Sequence, residues 1–133
     1  MAKQSGLGWT TLSVDDATPT LTDIKNDVTN FDFSTPRAVQ DVTGVDKSAI
    51  ERLLLLADFT INMTGVFNTA KSHPVLKTIP STNVVRTVSL AISSQTLSNE
   101  CVLTDYQVSR QAGGALTWTV PGSLADGTAP AWS

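Results

Sequence analysis

Residues 58–67 read DFTINMTGVF, and from Phe59 every second side chain is apolar or small: Phe59, Ile61, Met63, Gly65 and Phe67. Between them stand Thr60, Asn62, Thr64 and Val66. A period of two is the pattern of an extended strand with one face in a core, because successive side chains of a strand point to opposite sides. The polar part of the other face holds hydroxyls and an amide and no charge. That raises a question of what lies across from it: water, another protein, or something that a charged face would grip too tightly.

The same period recurs along the chain. LGWTTLSV (7–14) reads as a strand, DDATPTL after it as an exposed polar loop, and 21–25 as a short extended piece. VTNFDFS (28–34) alternates and should end near Pro36. VVRTVSLAIS (84–93) and ECVLTDYQVSR (100–110) alternate again, joined by the polar SSQTLSN. QAGG (111–114) predicts a tight turn into ALTWTV, where Leu116, Trp118 and Val120 face one way. In SHPVLKTIP (72–80), Pro74 suits a first helical position with Ser72 or His73 as cap. Val75, Leu76 and Ile79 would then share a face, and Pro80 would stop the helix.

Two segments fit this scheme less easily. PRAVQDVTGVDK (36–47) has Gly44, little large apolar content and much of the local charge, so it reads as a mobile loop or extended arm. SAIERLLLLAD (48–58) carries Ser48 and Glu51 at capping-box spacing, which predicts a helical turn or two before the next strand. The tally is six or seven strands, one short helix and one long charged loop. It predicts one domain spanning 1–133, mainly β: a small antiparallel sandwich or barrel with a short helix closing one end and a long loop or hairpin arm.

Composition narrows the function. A chain of 133 residues that is 41% hydrophobic buries a core without disulfides or metal. Charged residues are only 16%, against a usual ~25%, which leaves a wide neutral surface. The net charge is −3, and the nine cations are scattered from Lys3 to Arg110. Tight binding of nucleic acid through phosphates is therefore not expected. Cys101 is alone, which rules out a disulfide framework or thiolate metal cluster. MAKQSGLGW does not resemble a signal peptide, and the run LLLLA (53–57) is too short to span a membrane. The expectation is a chain made in the cytoplasm.

Catalytic chemistry is hard to find. His73 is the single histidine and precedes a proline, which fits a capping or surface position better than a general base. No nucleophile-elbow sequence occurs. Asp15-Asp16 point to opposite faces of a strand and lack a third carboxylate at cation-loop spacing. Cys101 sits in an apolar strand as a small hydrophobe. Gly113-Gly114 read as a hairpin turn and not a phosphate loop. Asn62-Met63-Thr64 matches a glycosylation acceptor only by pattern. Trp9, Trp118 and Trp132 are better placed for packing than for a sugar platform. The residues argue against an enzyme, with no catalytic, cofactor or metal site.

The order of elements carries a resemblance. VTNFDFSTP leads into DVTGVDK, then AIERLLLLADFTINMTGVF, HPVLKTI, TDYQVSR and the closing GGALTWTVPG…DGTAPAW. This succession, from Trp9 to Trp132, resembles the major tail tube protein of long-tailed bacteriophages, a family that includes the inner tubes of contractile tails and injection devices. The resemblance implies a β-sandwich that assembles into stacked rings of six, with strands from each subunit joining a barrel around a channel. Genomic DNA would pass down that channel during ejection without specific binding. Thr60, Asn62 and Thr64 would then face the lumen.

DNA bears one negative charge per roughly 1.7 Å of axis, so an uncharged or acidic wall lets it slide where a cationic wall would hold it. The arm residues Arg37, Gln40, Asp41, Thr43, Asp46 and Lys47 are expected to order against a neighbouring subunit or ring. The implied partners are further copies of the chain, a tape-measure protein and a tail terminator, in the tail of a virion and with no membrane. Rival readings are another virion part, such as a terminator or head-decoration protein, and a carbohydrate-binding module using Trp9 and Trp132.

Overall fold

Alternation of buried and exposed side chains organises the chain into antiparallel β-structure. The computed structural model describes Lys3 and residues 5–133. The strands in chain order are β1 (Trp9–Asp15), β2 (Leu21–Asp23), β3 (Val28–Ser34), β4 (Arg37–Asp41), β5 (Arg52–Ala57) and β6 (Thr60–Val66). The helix α1 (Ser72–Leu76) follows, and then β7 (Arg86–Ile92), β8 (Gln95–Leu103), β9 (Gln107–Arg110) and β10 (Leu116–Leu124).

The main sheet has the order β2-β1-β7-β8-β10-β6-β3, with β9 also beside β10. β10 is the strand on which the sheet folds over. One edge of it runs along β6 from Thr117↔Val66 to Ser123↔Thr60. Its other edge is shared, β9 pairing at Leu116–Thr119 and β8 at Gly122–Leu124. Two layers result, β2-β1-β7-β8 and β9-β10-β6-β3. Leu12, Val14, Val88, Leu90 and Leu97 of the first layer share a core with Ile61, Met63, Trp118 and Val120 of the second. Trp9 of β1 lies against Phe31 of β3 with ring centroids 4.4 Å apart, closing the layers at that side.

Gly65 is required where it stands. A Cβ there would sit 2.3 Å from the Asp27 carbonyl and 2.5 Å from the Trp118 ring. The indole of Trp118 fills the space that this glycine leaves open and donates its N–H to the Val66 carbonyl at 2.9 Å.

The short helix closes one end of the sandwich and buries Val75 and Leu76, while Ile79, expected on the same helical face, is buried from the 3-10 turn that follows. Its capping differs from the expectation. Neither Ser72 nor His73 caps with its side chain; the buried Asp27 carboxylate accepts from the Ser72 N–H at 3.1 Å and from Asn68 Nδ2 at 3.0 Å. The helix ends after Leu76, and Pro80 lies in a separate 3-10 turn at Ile79–Ser81. Buried Arg86 ties this end to the sheet by donating to the carbonyls of Val75 (2.8 Å) and Asp15 (3.1 Å) and to Thr78 Oγ1 (2.7 Å). Burial pulls its guanidinium below the ordinary value, and the charges of Asp16 and Asp15 pull the other way.

Three sequence expectations are corrected and one is narrowed. Segment 48–57 forms no helical turn: Arg52–Ala57 is strand β5, and the Glu51 backbone is engaged by Val42 N–H and Thr43 Oγ1 across the hairpin. Of the two readings of 36–47, loop or extended arm, the structure has the arm: strand β4 and the turn that follows it. The polar joint SSQTLSN is only a Ser93-Ser94 turn with both φ positive, and β8 begins at Gln95. The stretch 100–110 breaks at residues 104–106, so that one expected strand is two. Among the described residues ten strands replace the six or seven expected.

Candidate functional site

The outer face of the layer β9-β10-β6-β3 is where the alternation leaves its polar side chains. Register sets them in rows across three strands: Thr119–Thr64–Asn30, Pro121–Asn62–Asp32 and Ser123–Thr60–Ser34. On β9, Ser109 and Gln107 lie opposite Thr117 and Thr119 and extend the same face. The hydroxyls hold one another. Ser34 Oγ and Thr60 Oγ1 are 2.8 Å apart, Thr64 Oγ1 and Thr119 Oγ1 3.5 Å, and Gln111 Nε2 donates to Thr117 Oγ1 at 3.0 Å and Ser109 Oγ at 3.1 Å. Asp32 is the one carboxylate in these rows. Among the described residues of the four strands the single cation is Arg110, and it lies opposite Leu116, on the side that Trp118 faces.

The structure thus brings Thr60, Asn62 and Thr64 together on one face that holds no cation and a single carboxylate, Asp32. Reasoning from β6 alone missed the contributions of β3 and β10. The signal was present in VTNFDFS and LTWTVPGS, where the same alternation leaves Asn, Thr and Ser on the outer side.

Both outer edges of this layer lack a described partner strand, since β3 pairs β6 and β9 pairs β10. Each strand is antiparallel to its neighbour, so β9 and β3 run in opposite senses. A rotated copy would therefore bring its β9 antiparallel to this β3, and repeated rotation would close the layer into a barrel with no edge.

Beyond the sandwich the β3–β6 ladder continues into a second hairpin. The Asp58 N–H donates to the Pro36 carbonyl at 2.9 Å, then Arg37 pairs Ala57, and Val39, Gln40 and Asp41 pair Leu54, Leu53 and Arg52. Arg37 donates twice to the Leu55 carbonyl, at 3.2 and 2.8 Å. At the tip, Thr43 Oγ1 donates to Asp41 at 2.5 Å and accepts from the Glu51 N–H at 2.8 Å. The Thr43 hydroxyl, together with the Thr43 N–H at 2.9 Å, holds the Asp41 carboxyl below its usual range. The Lys47 N–H donates to the Gly44 carbonyl at 3.1 Å, closing the turn that holds Asp46.

The six predicted arm residues therefore belong to one element, but its most consequential side chains were not among them. Val39, Val42, Val45, Ile50, Leu53 and Leu54 are exposed, and Leu56 is 87% exposed.

Several other polar groups that the sequence singles out have internal partners, whereas the buried Asn99 Nδ2 has none. His73 Nδ1 lies 3.2 Å from the Tyr106 hydroxyl, and its ring packs on Phe67 at 4.6 Å. Asp15 accepts from the Thr87 N–H at 3.2 Å, and Asp16 holds the N–H groups of Thr18 and Thr20. Burial pushes the Cys101 thiol up to about 12, with Glu100, Asp126 and Asp58 adding to it, so it stays protonated and unreactive. Trp9 and Trp118 are committed to packing, which leaves Trp132 as the half-exposed indole. Among the described residues no three His, Cys, Asp or Glu side chains are grouped to hold a metal ion. No described helix is long and apolar enough to cross a membrane.

Neither a protein-family model nor a curated protein matches this chain. Solved structures do share the fold. A chain of the virion of the native gene transfer agent (GTA) particle superposes with a TM-score of 0.78 at 17% identity, over 98% of this chain and 99% of that one. A chain from the tail of the empty GTA particle, a structure of C6 symmetry, gives 0.79 at 18% identity over 98% of both. A chain of the six-fold symmetrised baseplate of the anti-feeding prophage (AFP) gives 0.65 at 9% identity, over 100% of this chain and 97% of that one.

Proposed function

We propose that this chain is a structural component of a virion tail and builds its tube, six copies to a ring and ring upon ring. The observation that carries the reading is the layer β9-β10-β6-β3: one polar face without a cation, and two open edges of opposite sense that a rotation axis closes. Four strands per copy, an even number, keep every junction antiparallel around the ring. The neighbouring folds come from a particle tail of C6 symmetry and a six-fold baseplate, which supports a ring of six.

In this ring Thr60, Asn62 and Thr64 line the channel with the hydroxyls of β3 and β10. DNA slides past a wall that offers it no cation, and Asp32 repels it weakly. Ring edges and stacking faces also account for the low charge content, because surface covered by other copies needs no solvated charge. The arm crosses to another copy, with Arg37, Gln40, Asp41, Thr43, Asp46 and Lys47 among its contacts. A tape-measure protein and a tail terminator would complete the tail, built in the host cytoplasm and working in the virion. The carbohydrate-binding reading loses its platform, since two of the three tryptophans pack inside.

Asn62→Lys with Thr64→Lys tests the channel assignment. Both side chains stand on the outer face, so tubes should form as before while DNA ejection slows at least several-fold. Unchanged ejection from virions with intact, fully substituted tubes would refute the lumen assignment. Loss of the tubes would show that these side chains lie in a contact between copies.

A further inference from the structure

We infer that Asp126-Gly127 is a site of spontaneous isoaspartate formation, and that the change loosens the C-terminal strap, residues 125–133, that covers the edge of β8. Three Asp-x-Thr turns of the chain have the same build: DAT (16–18), DVT (41–43) and DGT (126–128). In each, the aspartate Oδ1 accepts the backbone N–H two residues on, at 2.9 Å from Thr18, 2.9 Å from Thr43 and 3.0 Å from Thr128. The ring that this bond closes contains the nitrogen of the middle residue, so the carboxyl carbon Cγ is folded back towards that peptide. The donated N–H also draws electrons from Cγ. Each turn thereby gathers the two atoms that join in a five-membered imide.

Two features single out the third turn. Ala17 and Val42 set a Cβ beside the attacking nitrogen, and the valine is branched. Gly127 has none: its φ is +75°, in the region that favours glycine, and nothing lies within 4 Å of where a Cβ would stand. The second feature is the hydroxyl. Those of Thr18 and Thr43, with the backbone N–H groups, hold the Asp16 and Asp41 carboxyls below the usual range, and a carboxylate is a poor electrophile. At Asp126 the backbone N–H of Thr128 donates without its hydroxyl. Asp126 and Gly127 are both exposed, so water reaches them.

The Gly127 nitrogen attacks Cγ of the protonated Asp126 carboxyl. The N–Cγ bond forms, the Cγ–OH bond breaks, and the hydroxyl leaves with the amide proton as water. A second water opens the imide. Opening at Cγ restores aspartate; opening at the main-chain carbonyl leaves the backbone running through Cβ and Cγ, with the mass unchanged. The strap is pinned to β8 on both sides of this point. The Ala125 N–H donates to the Glu100 carbonyl at 2.9 Å, and Ser133 exchanges two 2.9 Å bonds with Thr96. One more backbone carbon between fixed ends bows the strap outwards and pulls on Trp132, whose ring centroid lies 5.9 Å from that of Phe33.

The test is to age the purified chain for weeks in warm neutral buffer, folded and in urea. Isoaspartate is counted by methyl transfer from S-adenosylmethionine with an isoaspartyl methyltransferase, and located by fragmentation mass spectrometry. It should accumulate at Asp126, at least as fast in the folded chain as in urea, with only traces at Asp16 and Asp41. Asp126→Glu, whose imide would be six-membered, should remove the signal, and the aged parent should melt below the aged variant. Faster accumulation in urea would mean that the turn protects the site, and would overturn the inference. Equal accumulation at Asp16 or Asp41 would overturn the choice of Gly127. Equal melting of the aged parent and the aged variant would overturn the loosening of the strap.

Discussion

Trp118→Ala lowers the stability of the folded chain by about 3–5 kcal/mol, the usual cost of truncating a buried tryptophan. Trp118 is 1% exposed, and its ring lies in the space that Gly65 leaves open, beside the Asp27 carbonyl. Truncation also takes from the Val66 carbonyl its shorter hydrogen bond, the 2.9 Å one from the indole N–H, and leaves it only the Ser72 hydroxyl at 3.5 Å. A domain of this size holds roughly 5–15 kcal/mol in all, so the variant keeps only a part of it. Urea denaturation followed by far-ultraviolet circular dichroism should show the midpoint fall sharply with the slope unchanged. A loss below about 1 kcal/mol would mean that the two layers do not close on this ring.

Excising the arm has the opposite signature: assembly is lost and the fold is kept. Removal of residues 38–56, with Arg37 and Ala57 rejoined through an Asn-Gly turn, leaves the β3–β6 ladder intact. The melting temperature should stay within a few degrees of the parent, while rings and tubes disappear at every concentration. The cut must take both strands. Deleting 39–45 alone strips β5 of its partner and leaves Leu53–Leu56 with unpaired backbone as well as bare side chains. If the excised chain polymerises like the parent, the arm is only a loop. Ordering a free hairpin costs roughly 1–2 kcal/mol per residue in backbone entropy, which is recovered only when partners arrive. On the ring reading, monomers are thereby kept apart until a first ring forms.

The core strands were legible because one physical rule governs them. In β6, β3 and the first part of β10, burial on one face imposes a period of two. Phe59, Ile61, Met63, Trp118 and Val120 are all buried where the alternation puts them. The arm was not legible, because its apolar side chains are exposed within the subunit and no core face imposes a period on them. RLLLLA has no period when both faces are apolar, and Ser48 with Glu51 imitated a helix start. The Glu51 backbone shows what prevailed: cross-strand bonds to Val42 and Thr43.

Likewise the helix cap was invisible locally, because the carboxylate that holds Ser72 is Asp27, 45 residues earlier in the chain. The polar face was half read. β6 announced Thr60, Asn62 and Thr64, but the register that sets Asn30, Ser34, Thr119 and Ser123 beside them is a tertiary fact.

Electron microscopy of the purified chain at high concentration tests the central claim most directly. The account predicts long hollow tubes of stacked rings, six-fold in cross-section, with the layer β9-β10-β6-β3 around the channel. Single rings that never stack, or a chain that stays monomeric at every concentration, would contradict it.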